Sequence, residues 1–238
     1  MNERDIIGQA ILNYQKDGTD TIIELWIDGE LDAAMQASYF FRSFEQMNAL
    51  EREALTLAQG RVLDVGAGAG CHSLELQKKD LDLVSLELSD HACWVMEQRG
   101  VRNIARADVL EYTQGSFDTI LMLMNGLGLG RTEEGLFTLL GHLKSLLAEG
   151  GCILADSTDI SYFKSPIDAL ELNHGYYGEV QFEVRCNNAS EQFGWIYPDE
   201  YLLEVMCDEL NLGFEVLTYG EAGSFLCKIK HHNNLTEV

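Results

Sequence analysis

The stretch Arg61-Val62-Leu63-Asp64-Val65-Gly66-Ala67-Gly68-Ala69-Gly70 decides the fold of this 238-residue chain. Its first half is a short apolar run typical of a buried strand, its second half is a glycine-rich turn, and a helical pattern follows over residues 70–79. Glycines let the backbone turn sharply and let a ligand contact bare N–H groups at the start of the helix. The stretch therefore predicts a ligand-binding turn, and a tight turn that binds nothing is the alternative.

The spacing of these glycines distinguishes between two kinds of ligand. A dinucleotide-binding turn has the pattern GxGxxG, which would put its third glycine at position 71, where this chain has Cys71. The pattern here is Asp-x-Gly-x-Gly-x-Gly, starting at Asp64. Because a carboxylate beside a pyrophosphate is repelled, Asp64 also argues against a dinucleotide. The spacing thus disfavours a nicotinamide-dependent oxidoreductase.

Two further carboxylates follow at the ends of the next two predicted strands. Glu87 lies near the end of the strand over 83–88, where a carboxylate can accept hydrogen bonds from both hydroxyls of a ribose. Asp108 follows the short strand over 103–107 and is placed to accept a hydrogen bond from an adenine amino group. Three acids around one glycine turn favour a nucleoside that carries a cationic group.

Short apolar runs and helical patterns alternate over residues 61–156, which predicts a parallel sheet covered by helices. The continuous apolar run at 117–124 is typical of a central strand that is buried on both faces. The predicted helices of this region cover 70–79, 89–99 and 132–147, and a fifth strand covers 152–155. Beyond it we predict a helix over 201–210 and a closing hairpin from strands over 214–219 and 225–230.

Taken together, these residues resemble the class I S-adenosylmethionine-dependent methyltransferases. The resemblance covers about residues 61–156 and rests on residues 64–70, Glu87, Asp108, 117–120 and 146–151. It implies an α/β fold with a doubly wound, mostly parallel seven-stranded sheet, the Rossmann-like methyltransferase fold, whose last strand is antiparallel. The closing hairpin fits that strand. The resemblance also implies S-adenosylmethionine as the cofactor.

The resemblance further implies which residues surround the cofactor. Asp64, Gly66 and Gly68 would border its methionine part, Glu87 would hold the ribose, Asp108 with Val109 would hold the adenine, and Met124 with Asn125 would flank the sulfonium. His72 lies in the first helical turn after the glycines and is a candidate for contact with the cofactor carboxylate. The complete set of expected cofactor-binding residues is Asp64, Gly66, Ala67, Gly68, Gly70, His72, Glu87, Leu88, Asp108, Val109, Met124 and Asn125.

The rest of the chain is expected to complete a single domain, because no linker or repeat marks a second one. Residues 1–58 form an N-terminal helical cap in this interpretation, with an aromatic-rich helical pattern over 31–58, and 59–156 form the cofactor-binding core. Residues 157–197 are a substrate-side insertion with a β-hairpin predicted over 176–197. Residues 198–238 supply the closing helix and hairpin.

Four side chains are expected to face the methyl acceptor: Tyr39, Arg42, Asn125 and Asp156. Arg42 could hold a carboxylate, although core packing is the alternative for the aromatic segment around it, and Asn125 could equally be turn chemistry. The turn after the fourth strand lacks the Asn/Asp-Pro-Pro-aromatic pattern of methylases that modify nucleobase amines. We expect no dedicated metal site, although Asp156 and Asp159 leave that option open. The sequence does not identify a catalytic residue.

Composition narrows the partners. The formal net charge of −23 disfavours nucleic acid and anionic membranes, since both repel an acidic surface. The six cysteines form no CxxC pattern, and no long apolar run occurs. We expect no signal peptide and therefore a cytoplasmic protein. The leading hypothesis is methyl transfer to a small-molecule acceptor by in-line displacement. The alternative is a catalytically silent protein that binds S-adenosylmethionine or S-adenosylhomocysteine, and the oligomeric state stays open.

Overall fold

The computed structural model describes residues 5–162 and 175–232. The helices are α1 (Ile6–Asp17), α2 (Ala49–Leu57), α3 (Cys71–Lys78), α4 (Asp90–Arg99), α5 (Glu133–Leu146) and α6 (Glu200–Glu209). The strands are β1 (Ile22–Ile27), β2 (Glu30–Gln36), β3 (Arg61–Val65), β4 (Asp82–Glu87), β5 (Ile104–Arg106), β6 (Phe117–Met122), β7 (Leu147–Thr158), β8 (Glu179–Cys186), β9 (Ala189–Ile196), β10 (Leu212–Tyr219) and β11 (Ser224–His231).

Seven strands form one sheet in the order β10-β11-β7-β6-β3-β4-β5. Five adjacent strands of this sheet are parallel to one another: β7, β6, β3, β4 and β5. In contrast, β11 runs antiparallel to both β7 and β10. This is the predicted doubly wound sheet with its antiparallel strand. Because β3 lies between β4 and β6, the turn that follows it opens at the centre of the sheet edge where the parallel strands end.

The two faces of this sheet are covered by different helices. Alternate residues of β6 point to opposite sides, so that Ile120 packs with α5 and α6, and Leu121 packs with α2 and α3. Local sequence fixes the helix ends: the Ser89 hydroxyl accepts a hydrogen bond from the Ala92 N–H at the start of α4, and Gly100 ends that helix with a φ of 88°. No helix in the described ranges is long and apolar enough to cross a membrane.

A second sheet is antiparallel, with the order β2-β1-β8-β9. The predicted hairpin at 176–197 is present as β8 and β9, but β1 of the N-terminal segment pairs with β8 as well. The part of the predicted insertion at 163–174 lies outside the described residues.

The N-terminal cap differs from the helical pattern expected over 31–58. Only Ala49–Leu57 is α-helical there, because residues 31–36 belong to β2 and 3₁₀ turns occupy Ala37–Phe41 and Phe44–Gln46. The hairpin turns at Asp28 and Gly29, which have φ angles of 50° and 85°. An Asp-Gly pair between strands is the residue choice that such a two-residue turn requires, and it was the overlooked sequence signal.

Candidate functional site

The glycine turn after β3 has three glycines with positive φ angles of 68°, 56° and 78° at Gly66, Gly68 and Gly70. The N–H groups of Gly66 and Ala67 donate to the Leu86 carbonyl of β4 over 2.9 and 3.1 Å, which holds the turn against the neighbouring strand. A Cβ atom at Gly66 would meet nothing within 4 Å. The backbone of Gly66 therefore faces open space, as a ligand-binding turn requires.

Gly70 has a different task, since a Cβ atom there would lie 2.8 Å from Val101 Cγ2 and 3.0 Å from Met96 Cγ. It lets the start of α3 pack against the end of α4.

We expect Gly70→Ala to lower the free energy of unfolding by about 2 kcal/mol, from the left-handed backbone and this overpacking. Thermal denaturation should show a midpoint about 4–8 °C lower. Gly18→Ala is the control, because Gly18 has a φ of 74° with no atom near its missing Cβ; an equal loss in both variants would contradict the packing role.

The Glu87 carboxylate lies beside the turn, at the end of β4. Its Oε2 atom accepts the Gly68 N–H over 2.8 Å, and its Oε1 atom accepts the N–H groups of Leu88 and Ser89 over 2.8 and 2.9 Å. Burial raises the pKa of Glu87, and these three N–H bonds act in the opposite direction. Oε2 carries only one of these bonds, so it has a lone pair available to a ligand hydroxyl.

Pockets that bind small molecules typically enclose about 300–1,000 Å³, and a cavity of about 570 Å³ opens next to Glu87. We call it the strand-end cavity, since Gly66, Glu87, Asp108 and Val109 line it where β3, β4 and β5 end. Asp108 is exposed and its Oδ1 atom accepts the Leu110 N–H over 2.9 Å, whereas Val109 is buried. Leu88, which is 49% exposed, also lines this cavity.

The turn after β6 carries the backbone strain of the site. Met124 and Asn125 have φ angles of 60° and 57°, a left-handed conformation that costs a residue other than glycine about 1 kcal/mol or more. The Asn125 N–H donates to Asp156 Oδ2 over 3.2 Å, and the Asn125 side chain accepts the Thr158 hydroxyl over 3.0 Å. The end of β7 thus holds this turn in place.

A second cavity, of about 390 Å³, lies between this turn and the four-stranded sheet. We call it the sheet-covered cavity. Its lining is mostly apolar and aromatic, and it includes three of the four side chains expected to face an acceptor, Tyr39, Asn125 and Asp156. The sheet contributes the side chains Ile23, Leu25, Met35, Phe182, Phe193 and Trp195.

The two cavities are neighbours, because Val65, Gly66 and Leu129 line both of them. Asp156 is the only charged group among the described residues that line the sheet-covered cavity. Its side chain is buried, and its Oδ1 atom has no hydrogen-bond partner within the described part of the chain. Burial raises the pKa of Asp156 to about 6.

Arg42 and His72 line neither cavity, unlike the sequence-based expectation for both. They lie behind Met124 in a buried cluster with Glu51 of α2, and all three residues are at most 5% exposed. Glu51 Oε1 accepts a hydrogen bond from the Arg42 guanidinium and lies 2.7 Å from His72 Nε2. The Arg42 guanidinium also donates to the Tyr39 carbonyl and lies 3.3 Å from Met124 Sδ.

Mutual attraction dominates the charges in this cluster. Burial alone would raise the pKa of Glu51, but hydrogen bonds from His72 and Arg42 lower it to about 2. Burial alone would lower the pKa of His72, but the Cys71 sulfur and the Glu51 carboxylate raise it to about 10. The cluster is therefore ionised at neutral pH and supports the strained turn from below.

Two remaining candidates stabilise the glycine turn from inside the protein. Asp64 is 2% exposed and accepts the Ser73 hydroxyl over 2.5 Å, and Ala67 is 5% exposed. Burial raises the pKa of Asp64. In the described ranges, no three His, Cys, Asp or Glu side chains are grouped so that they could hold a metal ion.

Sequence reasoning missed the aromatic cover of the second cavity. The aromatic residues Phe182, Phe193 and Trp195 lie on the predicted hairpin, and the last two are spaced so that they face the same side of one strand. Nothing in the local sequence indicates that this hairpin folds over the end of β6. Their rings form one group, with Phe182 centroids 5.4 Å from Phe193 and 5.6 Å from Trp195.

No protein-family model matches the sequence, and no curated protein matches it either. Among solved structures, the chain is similar to an S-adenosylmethionine-dependent methyltransferase from Bacteroides fragilis in complex with S-adenosyl-L-homocysteine. The identity is 30%, the match covers 94% of each chain, and the TM-score is 0.84.

More distant structures share the fold. S-adenosylmethionine-dependent methyltransferases from Methanosarcina mazei and Clostridium acetobutylicum match with TM-scores of 0.60 and 0.58 at 15% and 14% identity. These matches cover 78% and 79% of this chain, and 98% and 93% of the other chains. The strand order, the glycine turn with Glu87 and the Bacteroides relative agree with one another. The chain belongs to the class I S-adenosylmethionine-dependent methyltransferases.

Proposed function

We propose that this enzyme methylates a small-molecule acceptor held in the sheet-covered cavity. The observation that carries the proposal is the junction of the two cavities at Val65, Gly66 and Leu129. One cavity has the carboxylates suited to a nucleoside, and the other is an apolar chamber of about 390 Å³ beneath a sheet. A chamber of that size suits a compact molecule, and the net charge of −23 disfavours nucleic acid as the acceptor.

The strand-end residues fit S-adenosylmethionine. In our proposal Glu87 holds the ribose hydroxyls through the lone pair on Oε2, and Asp108 with Val109 holds the adenine. The backbone of Gly66 and Gly68 borders the methionine part, since the missing Cβ at Gly66 leaves open space. When bound, the cofactor supplies an activated methyl group for in-line displacement by the acceptor. Met124 and Asn125 line the sheet-covered cavity, so in our proposal they flank the methyl group on the side of the acceptor.

The protein contributes alignment and exclusion of water to this reaction. The four-stranded sheet covers the acceptor, and residues 176–197 of the predicted substrate-side insertion supply half of that cover as β8 and β9. The cluster of Arg42, Glu51 and His72 fixes the turn that carries Met124. We assign no catalytic residue to the displacement itself.

Thermal unfolding with added ligands tests the cofactor site. A ligand at about 100 times its dissociation constant adds roughly 2.7 kcal/mol of stability, which should raise the midpoint of this chain by about 5–10 °C. We expect that rise with S-adenosylmethionine and S-adenosylhomocysteine and no rise with NAD. A rise with NAD alone would contradict the assignment of the strand-end cavity.

The size of the acceptor is tested by turnover. Cell extract separated into a low-molecular-weight fraction and a macromolecular fraction is incubated with the enzyme and S-adenosylmethionine, and S-adenosylhomocysteine is measured. Formation of the product with the small-molecule fraction supports the proposal, whereas formation only with the macromolecular fraction would refute it.

A further inference from the structure

The sheet-covered cavity has an unusual combination of an aromatic wall and one carboxylate. Phe182, Phe193 and Trp195 come from the sheet, and Tyr39 and Phe40 come from the turn after β2. Aromatic faces carry partial negative charge and attract cations within about 6 Å of the ring centre. The wall therefore favours an apolar molecule that also carries positive charge.

Asp156 is fixed in this wall and lacks a partner for one oxygen. The Asn125 N–H holds Oδ2, and the Asn125 side chain is itself held by Thr158, so the carboxylate has a defined position. Oδ1 has no partner among the described residues, although Asp156 is only 7% exposed. A buried acceptor atom without a partner is costly, so the natural occupant of the cavity brings a hydrogen-bond donor to Oδ1.

The charge of Asp156 identifies the kind of donor. No cationic side chain of the described residues lines the cavity, so an ionised Asp156 faces no positive side chain on the cavity side, and His72 lies behind it. A hydroxyl group would supply the hydrogen bond but leave the charge unbalanced, and a carboxylate would be repelled. A protonated amine supplies both the N–H donor and the positive charge, and the aromatic wall favours it as well.

We propose that the acceptor is a primary or secondary amine on a compact apolar body, with its nitrogen held at Asp156 Oδ1. The inference rests on the proposed function, because it names the substrate class of the same cavity. Asp156 also takes one proton: an N–H bond of the ammonium breaks, an O–H bond to Oδ1 forms, and the electron pair stays on nitrogen. The nitrogen lone pair is then free for methylation.

The surroundings of Asp156 agree with this proton transfer. Burial raises its pKa to about 6, the Glu51 carboxylate of α2 adds to that rise, and the N–H groups of Asn125 and Met124 and the His72 ring of α3 oppose it. Burial, and to a lesser extent the Asp156 charge, raises the pKa of Tyr39 and that of Cys227 in β11. The carboxylate is thus a stronger base than an exposed aspartate, yet it is ionised at neutral pH. Because amine binding needs the ionised form, amine affinity should fall as the pH drops below about 6.

Calorimetry with three matched probes tests the proposal: 2-phenylethylamine, 2-phenylethanol and 3-phenylpropionate, each added to protein saturated with S-adenosylhomocysteine. We expect the amine to bind at least about tenfold more tightly than the alcohol, since a charge-assisted hydrogen bond is about twice as strong as a neutral one. The acid should bind most weakly. Asp156→Asn should remove the preference for the amine while S-adenosylhomocysteine still binds.

Asp159→Asn is the matched control. Asp159 follows β7 closely and accepts the Tyr177 hydroxyl and the Ser161 N–H, but it does not line the cavity. This variant should keep the preference for the amine. The proposal is overturned if the wild-type protein binds the alcohol as tightly as the amine, binds no amine at millimolar concentration, or keeps its preference in Asp156→Asn. If the wild-type protein does not bind S-adenosylhomocysteine, the proposed cofactor site is refuted instead.

Discussion

Glu51→Gln should lower the free energy of unfolding by about 3–5 kcal/mol, because it leaves the buried Arg42 and His72 without their carboxylate. The substitution keeps the shape of the side chain. However, Glu51 uses Oε2 to accept the Asn48 N–H at the start of α2 and Oε1 to bind Arg42 and His72. A glutamine that keeps the first bond turns its NH₂ group toward two other donors. Thermal denaturation at neutral pH should show a midpoint lower by about 6–20 °C.

Glu53→Gln is the control for this prediction, because it makes the same chemical change on the same helix at a half-buried position with no ion pair among the described residues. Its effect should stay within about 0.5 kcal/mol.

Acid denaturation gives a second measurement of the Glu51 contribution. The pKa of Glu51 is lowered to about 2 in the folded protein, so its stabilising contribution is complete above its unfolded pKa and is lost as the pH falls from about 5 toward 2. Glu51→Gln should flatten this part of the stability curve, and an unchanged curve would show that the cluster contributes little.

Glu87→Ala should weaken the binding of S-adenosylhomocysteine about 5- to 150-fold, or about 1–3 kcal/mol, if Glu87 holds the ribose. The ligand would lose its hydroxyl partner at Oε2. The variant also removes the acceptor of three N–H groups at Gly68, Leu88 and Ser89, so the ligand-free protein should melt at a lower temperature. Calorimetric titration measures the affinity, and thermal denaturation without ligand measures the structural part.

Asp82→Ala tests whether position matters for this effect. Asp82 lies at the opposite end of the same strand, where it forms an exposed ion pair with Arg61 over 3.3 Å. Exposed pairs contribute little, so both affinity and stability should change only slightly. Unchanged affinity in Glu87→Ala would remove the ribose assignment, whatever happens to the melting temperature.

The core of the fold was predictable because its signals are local. The run at 61–65, the glycines after it and the carboxylates at Glu87 and Asp108 each reflect a short segment whose neighbours in space follow from strand order. A parallel sheet brings the ends of successive strands to one edge, so these residues meet without any further information. The sheet order confirms that prediction.

The rest depends on contacts between distant segments. Arg42 has the residue type of a group that binds a substrate carboxylate. Only the position of α2 shows that its guanidinium is already bound to the Glu51 carboxylate. The prediction of a helix over 31–58 was wrong at residues 31–36. These residues form the mostly exposed strand β2, because pairing with β1 outweighs their local helical preference. Asp156 was identified from its place after the fifth strand, whereas its unpartnered oxygen required the packed structure.

The cover of the sheet-covered cavity also affects the order in which the chain can fold. Ile23 of β1 pairs with Cys186 of β8, so the roof joins segments that leave the ribosome at widely separated times. All strands from β1 to β7 are already synthesised when β8 emerges. Until then, β1 has no β8 strand with which to pair. Pairing across such a span is slow because the loop must close before the contacts form. The strands that carry the proposed cofactor residues are therefore synthesised before the cover of the sheet-covered cavity is complete.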